Sequence, residues 1–271
     1  MPASPTRTVL LTGATDGLGR ALADRLADRP DTLLILHGRD APKLDAVRRA
    51  LEGSRARIAT AVADLGDLDR VRDLARQVAG LTDRLDVLIN NAGTAPVDRR
   101  LTVDGHELTL AVNYLAPFAL TRALLPLLTA AAPARVVHVA SLSTAPIDFD
   151  DLTMEGGYDQ GHAYGRSKRA LVADGFTLAA ELPADQVTVN SLHPGTLMPT
   201  KMVRESGGRT VDTLETGVES TLRLVDDPEL GGITGRFYDR LERASAPEAE
   251  DPAFRARLLA VTEGLVGRPA A

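Results

Sequence analysis

Thr8-Val9-Leu10-Leu11-Thr12-Gly13-Ala14-Thr15-Asp16-Gly17-Leu18-Gly19 is the stretch that decides how the rest of the chain is read. Thr8–Thr12 is a short apolar and β-branched run, a strand candidate. A helical pattern begins at Gly17 and continues to Arg29. A turn between a strand and a helix presents backbone N–H groups at the helix N-terminus, where a pyrophosphate is favourably held. Gly13 permits the tight turn, Gly17 the close approach of a phosphate, and Gly19 the packing of helix on strand. The spacing is G-x3-G-x-G, not the G-x-G-x-x-G of the common dinucleotide fingerprint. A glycine-rich turn is also an ordinary structural device, so its meaning depends on what surrounds it.

Outward from this unit the alternation repeats. Thr32–His37, Arg57–Ala63, Leu85–Ile89, Arg135–Ala140 and Gln186–Leu192 read as strands, with Ile233–Tyr238 as a seventh. Pro42–Leu51 is helical, with proline in the first turn. Leu68, Val71, Leu74, Val78 and Leu81 recur at helical spacing, and long helices are predicted at 104–130 and 162–182. Strand–helix alternation implies an α/β fold: a single-domain, doubly wound Rossmann-type parallel sheet of about seven strands, helices on both faces. No repeat or linker divides residues 1–271; 196–212 and 240–271 read as substrate-side and C-terminal additions. In the tail, Asp251-Pro252 makes a cap and first turn for a helix striped by Phe254, Leu258, Val261 and Leu265.

Composition narrows the function classes. A net charge of -6 argues against nucleic acid or an anionic membrane as the main partner. The absence of cysteine excludes disulfides and thiolate chemistry. The five histidines, His37, His106, His138, His162 and His193, have no paired ligand spacing, so no metal site is expected. Met1-Pro2-Ala3-Ser4-Pro5-Thr6-Arg7 leads into an apolar run too short for a signal peptide. The apolar stretch from Leu108 to Ala134 carries Asn113, Arg122, Pro117 and Pro126, which suits a buried helix rather than a bilayer crossing. A cytoplasmic protein is expected.

Tyr164-Gly165-Arg166-Ser167-Lys168 carries the chemistry. Residues at i and i+4 share a helix face. A cation ~4 Å from the phenol, at an effective dielectric of ~20, contributes ~4 kcal/mol, enough to bring a tyrosine near neutral pH for proton transfer.

The glycine turn and the Tyr164/Lys168 pair, in this order and separation, resemble the short-chain dehydrogenase/reductase family, and further matches extend over nearly the whole chain. The resemblance implies that Gly13, Thr15, Asp16, Gly17, Leu18 and Gly19 line the pyrophosphate site. Asp64-Leu65 looks like the family's adenine-contacting pair. Asn90-Asn91-Ala92-Gly93 matches its Asn-Asn-Ala-Gly motif, so Asn91, Ala92 and Gly93 would line the cofactor cleft. Asn113 is similar to the active-site asparagine, Ser141 to the catalytic serine, and Pro194-Gly195 to the motif beside the nicotinamide. The family usually has threonine four residues after that glycine; here Pro199 stands there, leaving Thr200, or else Thr196, to bind the carboxamide. Gly38-Arg39-Asp40 and His193-Pro194-Gly195 look most like the retinol-dehydrogenase and carbonyl-reductase branches.

The roles implied are these. Tyr164 gives a proton to the carbonyl oxygen, Ser141 hydrogen-bonds that oxygen, Lys168 lowers the tyrosine pKa and holds the nicotinamide ribose, and Asn113 positions a water linking Lys168 to solvent. Ser143 is a rival serine that otherwise serves a turn, and Ser167 supports the helix. Tyr114, Tyr158 and Tyr238 lack a lysine at i+4. Arg39 at the end of the second strand suits a 2′-phosphate, so NADP(H) is expected over NAD(H), with Asp40 the opposing consideration. The expected activity is NADPH-dependent interconversion of a ketone or aldehyde and its alcohol, on a small, apolar substrate. Leu142, Met154, Met198 and Met202 are candidate pocket residues. A nucleotide-sugar epimerase or dehydratase would want wider glycine spacing and a longer C-terminal half, and a non-catalytic dinucleotide sensor would have lost the tyrosine or lysine. Helices 104–130 and 162–182 match those through which family members pair, so a homodimer or homotetramer is expected. Between Ser141 and Tyr164, 147–157 is predicted to be a substrate-side cover, with Gly156-Gly157 as its hinge.

Overall fold

The computed structural model describes residues 6–205 and 207–267; the N-terminal lead 1–5, residue 206 within the 196–212 addition, and 268–271 of the tail lie outside the described residues. The elements are β1 (Arg7–Leu11), α1 (Gly17–Ala27), β2 (Thr32–Gly38), α2 (Ala41–Ala50), β3 (Arg57–Val62), α3 (Leu68–Leu81), β4 (Val87–Asn90) and α4 (Leu108–Leu110). A π-helical turn, Ala111–Leu115, joins α4 to α5 (Ala116–Ala130). Then come β5 (Ala134–Val139), α6 (Gln160–Glu181), β6 (Val187–His193), α7 (Lys201–Glu205), α8 (Leu214–Asp226), β7 (Arg236–Asp239), β8 (Glu242–Ala244), α9 (Pro247–Glu250) and α10 (Pro252–Val266).

These strands form one sheet in the order β3-β2-β1-β4-β5-β6-β7-β8, parallel except for β8, which runs antiparallel at the edge. All seven residues of β2 are buried, as an interior parallel strand covered on both faces requires. Leu22 and Leu26 of α1, Val47 of α2 and Leu222 of α8 pack on one face. Leu74 and Val78 of α3 and Leu120 and Leu124 of α5 pack on the other. The chain winds from β1 outward to β3, then returns to place β4 beside β1 on the opposite side. Loops leaving the C-terminal ends of β1 and β4 therefore diverge and open a crevice, the place where such sheets bind ligands.

The sheet has eight strands rather than about seven; the three-residue β8 is too short to show a pattern. The helix expected at 104–130 starts at Leu108 because Glu107 caps it, accepting from the N–H groups of Thr109 (2.7 Å) and Leu110 (2.9 Å). Leu108–Ala130 is long and apolar enough to cross a membrane, yet 67% of its apolar window is buried inside the fold.

The surface of α6 expected to meet a second copy is covered by the chain's own α9 and α10. Tyr114 bonds Thr262 of α10 at 2.6 Å. Arg169 of α6 pairs with Glu248 at 2.5 Å and lies over the Phe254 ring. Residues Gly165–Gly175 of α6 are buried throughout.

Candidate active site

Glycine at 13 and 19 is forced by backbone approach. Gly13 has φ +69°, and a Cβ there would lie 2.8 Å from the Ala92 Cα; at Gly19 it would run into the Gly13 carbonyl. Gly17 has φ +51° at the start of α1, where the Asp16 carboxylate accepts its N–H at 2.6 Å. Two residues outside the predicted set hold this turn. The Thr12 hydroxyl donates to the Ile89 carbonyl and accepts from the Asn91 and Ala92 N–H groups at 2.9 and 3.1 Å. Asn91 returns two bonds, to the Thr12 and Gly13 carbonyls. His37, buried at the end of β2, accepts the Gly13 N–H on Nδ1 (3.3 Å), which leaves Nε2–H to donate to the Ala63 carbonyl (3.1 Å). Burial lowers its pKa to about 4, so the neutral ring is the form present at pH 7. A polar residue ending an otherwise apolar strand was the available signal.

Around the crevice, Thr15 packs against Gly38, and Leu18 is core, so only its backbone faces the turn. Arg39 is exposed. Asp40 caps α2, accepting the Lys43 N–H at 3.0 Å. Asp64 accepts the Gly66 N–H at 2.9 Å and borders a cavity of about 480 Å³ shared with Val62, Asp67, Leu101 and Val103; Leu65 beside it is buried. Pro194 and Gly195 are buried after β6. Thr196 is engaged elsewhere: its N–H meets Asp212 at 2.6 Å, and its hydroxyl meets His193 and Arg240. Thr200 lies against Gly17, its methyl 3.0 Å from where a Cβ would stand.

Ser141, Tyr164, Lys168 and Asn113 come together beside Gly93. Ser141, just past β5, accepts the Ser143 N–H at 3.0 Å, leaving its own O–H to donate; Ser143 is exposed. Tyr164, half-buried on α6, has the Ser141 side chain as its polar neighbour. Lys168 is buried and donates to the Val139 carbonyl at 2.8 Å. A Cβ on Gly93 would stand 3.4 Å from Asn113 Oδ1, 3.6 Å from Lys168 Nζ and 3.9 Å from the Met202 methyl.

Two expectations are corrected here. Lys168 Nζ lies 5.7 Å from the centre of the Tyr164 ring and acts on Val139 instead. Burial pushes the tyrosine pKa up, and the neighbouring Ser141 hydroxyl is the opposing pull. Lys168 itself is driven down to about 8 by burial. Ser167 does more than support its helix: it donates to the Tyr164 carbonyl at 2.7 Å and accepts from Asn113 at 3.0 Å. The remaining side-chain bonds of Asn113 go to the Thr94 backbone, which uses both N–H donors and leaves Oδ1 a second lone pair. The Asn113 main-chain carbonyl is a second acceptor at this position. It lies in the π-helical turn, and Pro117 lacks the N–H that would close on it in an α-helix.

The 147–157 segment is fastened rather than hinged. Arg99 donates to the Thr153 carbonyl at 2.7 Å, Arg166 to that of Leu152 at 2.8 Å, and Phe149 packs on Phe254 of α10.

The family whose profile matches is short chain dehydrogenase, over residues 7–209. Retinol dehydrogenase 13 of Homo sapiens is 35% identical over 284 residues, covering 97% of this chain and 85% of that protein. Polyprenol dehydrogenase of Mus musculus is 34% identical over 289 residues, covering 98% and 84%. Among solved structures, the Pseudomonas aeruginosa RhlG/NADP active-site complex superposes with a TM-score of 0.71 at 26% identity, covering 93% of this chain and 99% of that one. The glycine turn at the sheet's crevice, the Ser141–Tyr164–Lys168 cluster and matches of this extent have one reading: the chain is an oxidoreductase-fold member of the short-chain dehydrogenase/reductase family.

Proposed function

We propose that this protein reduces a small, apolar ketone or aldehyde to its alcohol with NADPH. The observation that carries the reading is the Ser141 hydroxyl set beside the Tyr164 phenol, with the buried Lys168 ammonium one turn along the same helix, next to the glycine-lined crevice. The residues fit the cofactor. Gly13 and Gly19 let the turn close tightly on Ala92 and on the Gly13 carbonyl, and backbone N–H groups at the start of α1 suit a pyrophosphate. Arg39 is free at the end of β2 while Asp40 is held as a helix cap, which favours a 2′-phosphate over a bare ribose. Thr200, at Gly17, is better placed than Thr196 to meet the nicotinamide side.

NADPH, when bound, supplies the hydride to the carbonyl carbon. Ser141 donates its O–H to the carbonyl oxygen and stabilises the developing negative charge. Tyr164 transfers its phenolic proton to that oxygen. A raised pKa keeps the phenol protonated, the form an acid needs. Lys168, oriented by the Val139 carbonyl, is the residue to hold the nicotinamide ribose, and the Asn113 carbonyl offers a path by which a proton returns. Met202, beside Gly93, and Leu142, after Ser141, give the substrate side an apolar lining.

Nicotinamide absorbance with aliphatic and aromatic ketones tests the reading. Oxidation of NADPH well ahead of NADH is expected, and Arg39→Ala should weaken NADPH by roughly 1.5–3 kcal/mol while sparing NADH. Equal catalytic efficiency with both cofactors would contradict the NADPH assignment. No turnover of any carbonyl compound would contradict the reaction class.

A further inference from the structure

We infer that Arg166, paired with Glu107, is a positioning residue: it fastens the 147–157 segment as a fixed wall and thereby sets which carbonyl substrates fit, an inference that rests on the reductase reading above.

Arg166 lies on α6 between Tyr164 and Lys168 and is 1% exposed, the largest fully buried side chain described. Its Nη2 donates to Glu107 at 3.2 Å and to the Leu152 carbonyl at 2.8 Å; Nη1 reaches the Asp151 carbonyl at 3.5 Å. Glu107 is fully buried and caps α4 with both oxygens. One guanidinium therefore ties together the helix of Tyr164, the entry to the Asn113 turn and the wall. An apolar pair of the same volume would pack α6 on α4 at less desolvation cost, and the Arg166 Nε is left without a partner. What only the guanidinium adds is the bond to the wall's backbone.

The wall is shaped to be held. Asp151 gathers the Glu155 and Gly156 N–H groups at 2.9 and 2.8 Å. This turn keeps Met154 buried with φ +55°, a left-handed conformation that a non-glycine residue keeps only under external constraint. Arg99 and Tyr158 clamp the outer side to Thr153 and Pro96. The backbone leading into the wall is tight on the catalytic helix: a Cβ at Gly165 would stand 3.0 Å from Ala145 N. Through Arg99 and Tyr158 the wall and its C-terminal flank are seated on the loop that follows Gly93.

Arg166→Lys keeps the charge facing Glu107 and loses the second branch of the fork. The paired variant E107Q/R166M removes both charges together, which protein interiors tolerate better than removal of one. Each is compared with the parent by hydrogen exchange and by steady-state kinetics on one small and one bulky ketone. Exchange within 147–157 should rise at least about tenfold. KM for the bulky ketone should change at least about fivefold, with kcat for the small ketone held within about twofold. Unchanged exchange in both variants overturns the inference, and so does raised exchange with the parent's ratio of bulky to small turnover. A parent protein that reduces neither ketone contradicts the reductase reading alone, and the exchange result then still decides whether Arg166 is the anchor.

Discussion

Tyr164 and Lys168 show what residue spacing can and cannot convey. Their helical spacing placed both on one face and, with Ser141 and Asn113, named the cluster that the fold assembles. Burial was not legible, and burial sets the sign of each shift: up for the phenol, down to about 8 for the ammonium. The same limit left Thr196 and Thr200 unresolved, because a hydroxyl's partners depend on Asp212, Arg240 and Gly17, remote in sequence. The Lys168 shift has a consequence for stability. Its folded pKa lies below that of the unfolded chain, so the cost of burying the ammonium is fully present below about pH 8 and fades as pH rises towards 10.5. Lys168→Met should therefore raise Tm by several degrees at pH 7, roughly 3 kcal/mol at most, with the gain shrinking above pH 8 and activity lost throughout. Calorimetry from pH 6 to 10 checks this; a destabilised variant at pH 7, or a gain that grows with pH, would refute it.

At the scale of elements, the hydrophobic periods found the parallel strands and the long helices within a few residues. They missed α8, whose helical pattern is interrupted by Gly217 against Met198, and the short α7, α9 and β8. The π-helical turn was also invisible, since i→i−5 bonding leaves no period of its own. The junction of β1 and β4 was seen as two separate motifs, and the structure makes Thr12 their common rivet. Thr12→Val keeps the shape but strands the Ala92 N–H and leaves the Asn91 N–H only its Ile89 carbonyl partner. It should lower stability by roughly 1–3 kcal/mol and weaken cofactor binding, whereas Thr12→Ser should keep most of both. Urea unfolding of the two variants measures it, and equal midpoints would show that the hydroxyl is not a structural link.

For the whole molecule, a parallel sheet covered on both faces followed from alternation, but the strand order, the antiparallel edge and the covering of α6 did not, because they depend on which elements pack together. The homodimer or homotetramer remains the proposal, with pairing outside the part of α6 under α9 and α10; light scattering at micromolar concentration showing only a 28.7 kDa species would refute it. The account as a whole stands on Tyr164 as the acid in carbonyl reduction. Its most direct test is single-turnover NADPH oxidation by Tyr164→Phe beside the parent protein, with NADPH affinity measured by fluorescence. The account requires a fall of at least ~10²-fold in rate, the scale of a lost general acid, with NADPH affinity unchanged; turnover near the parent rate would contradict it.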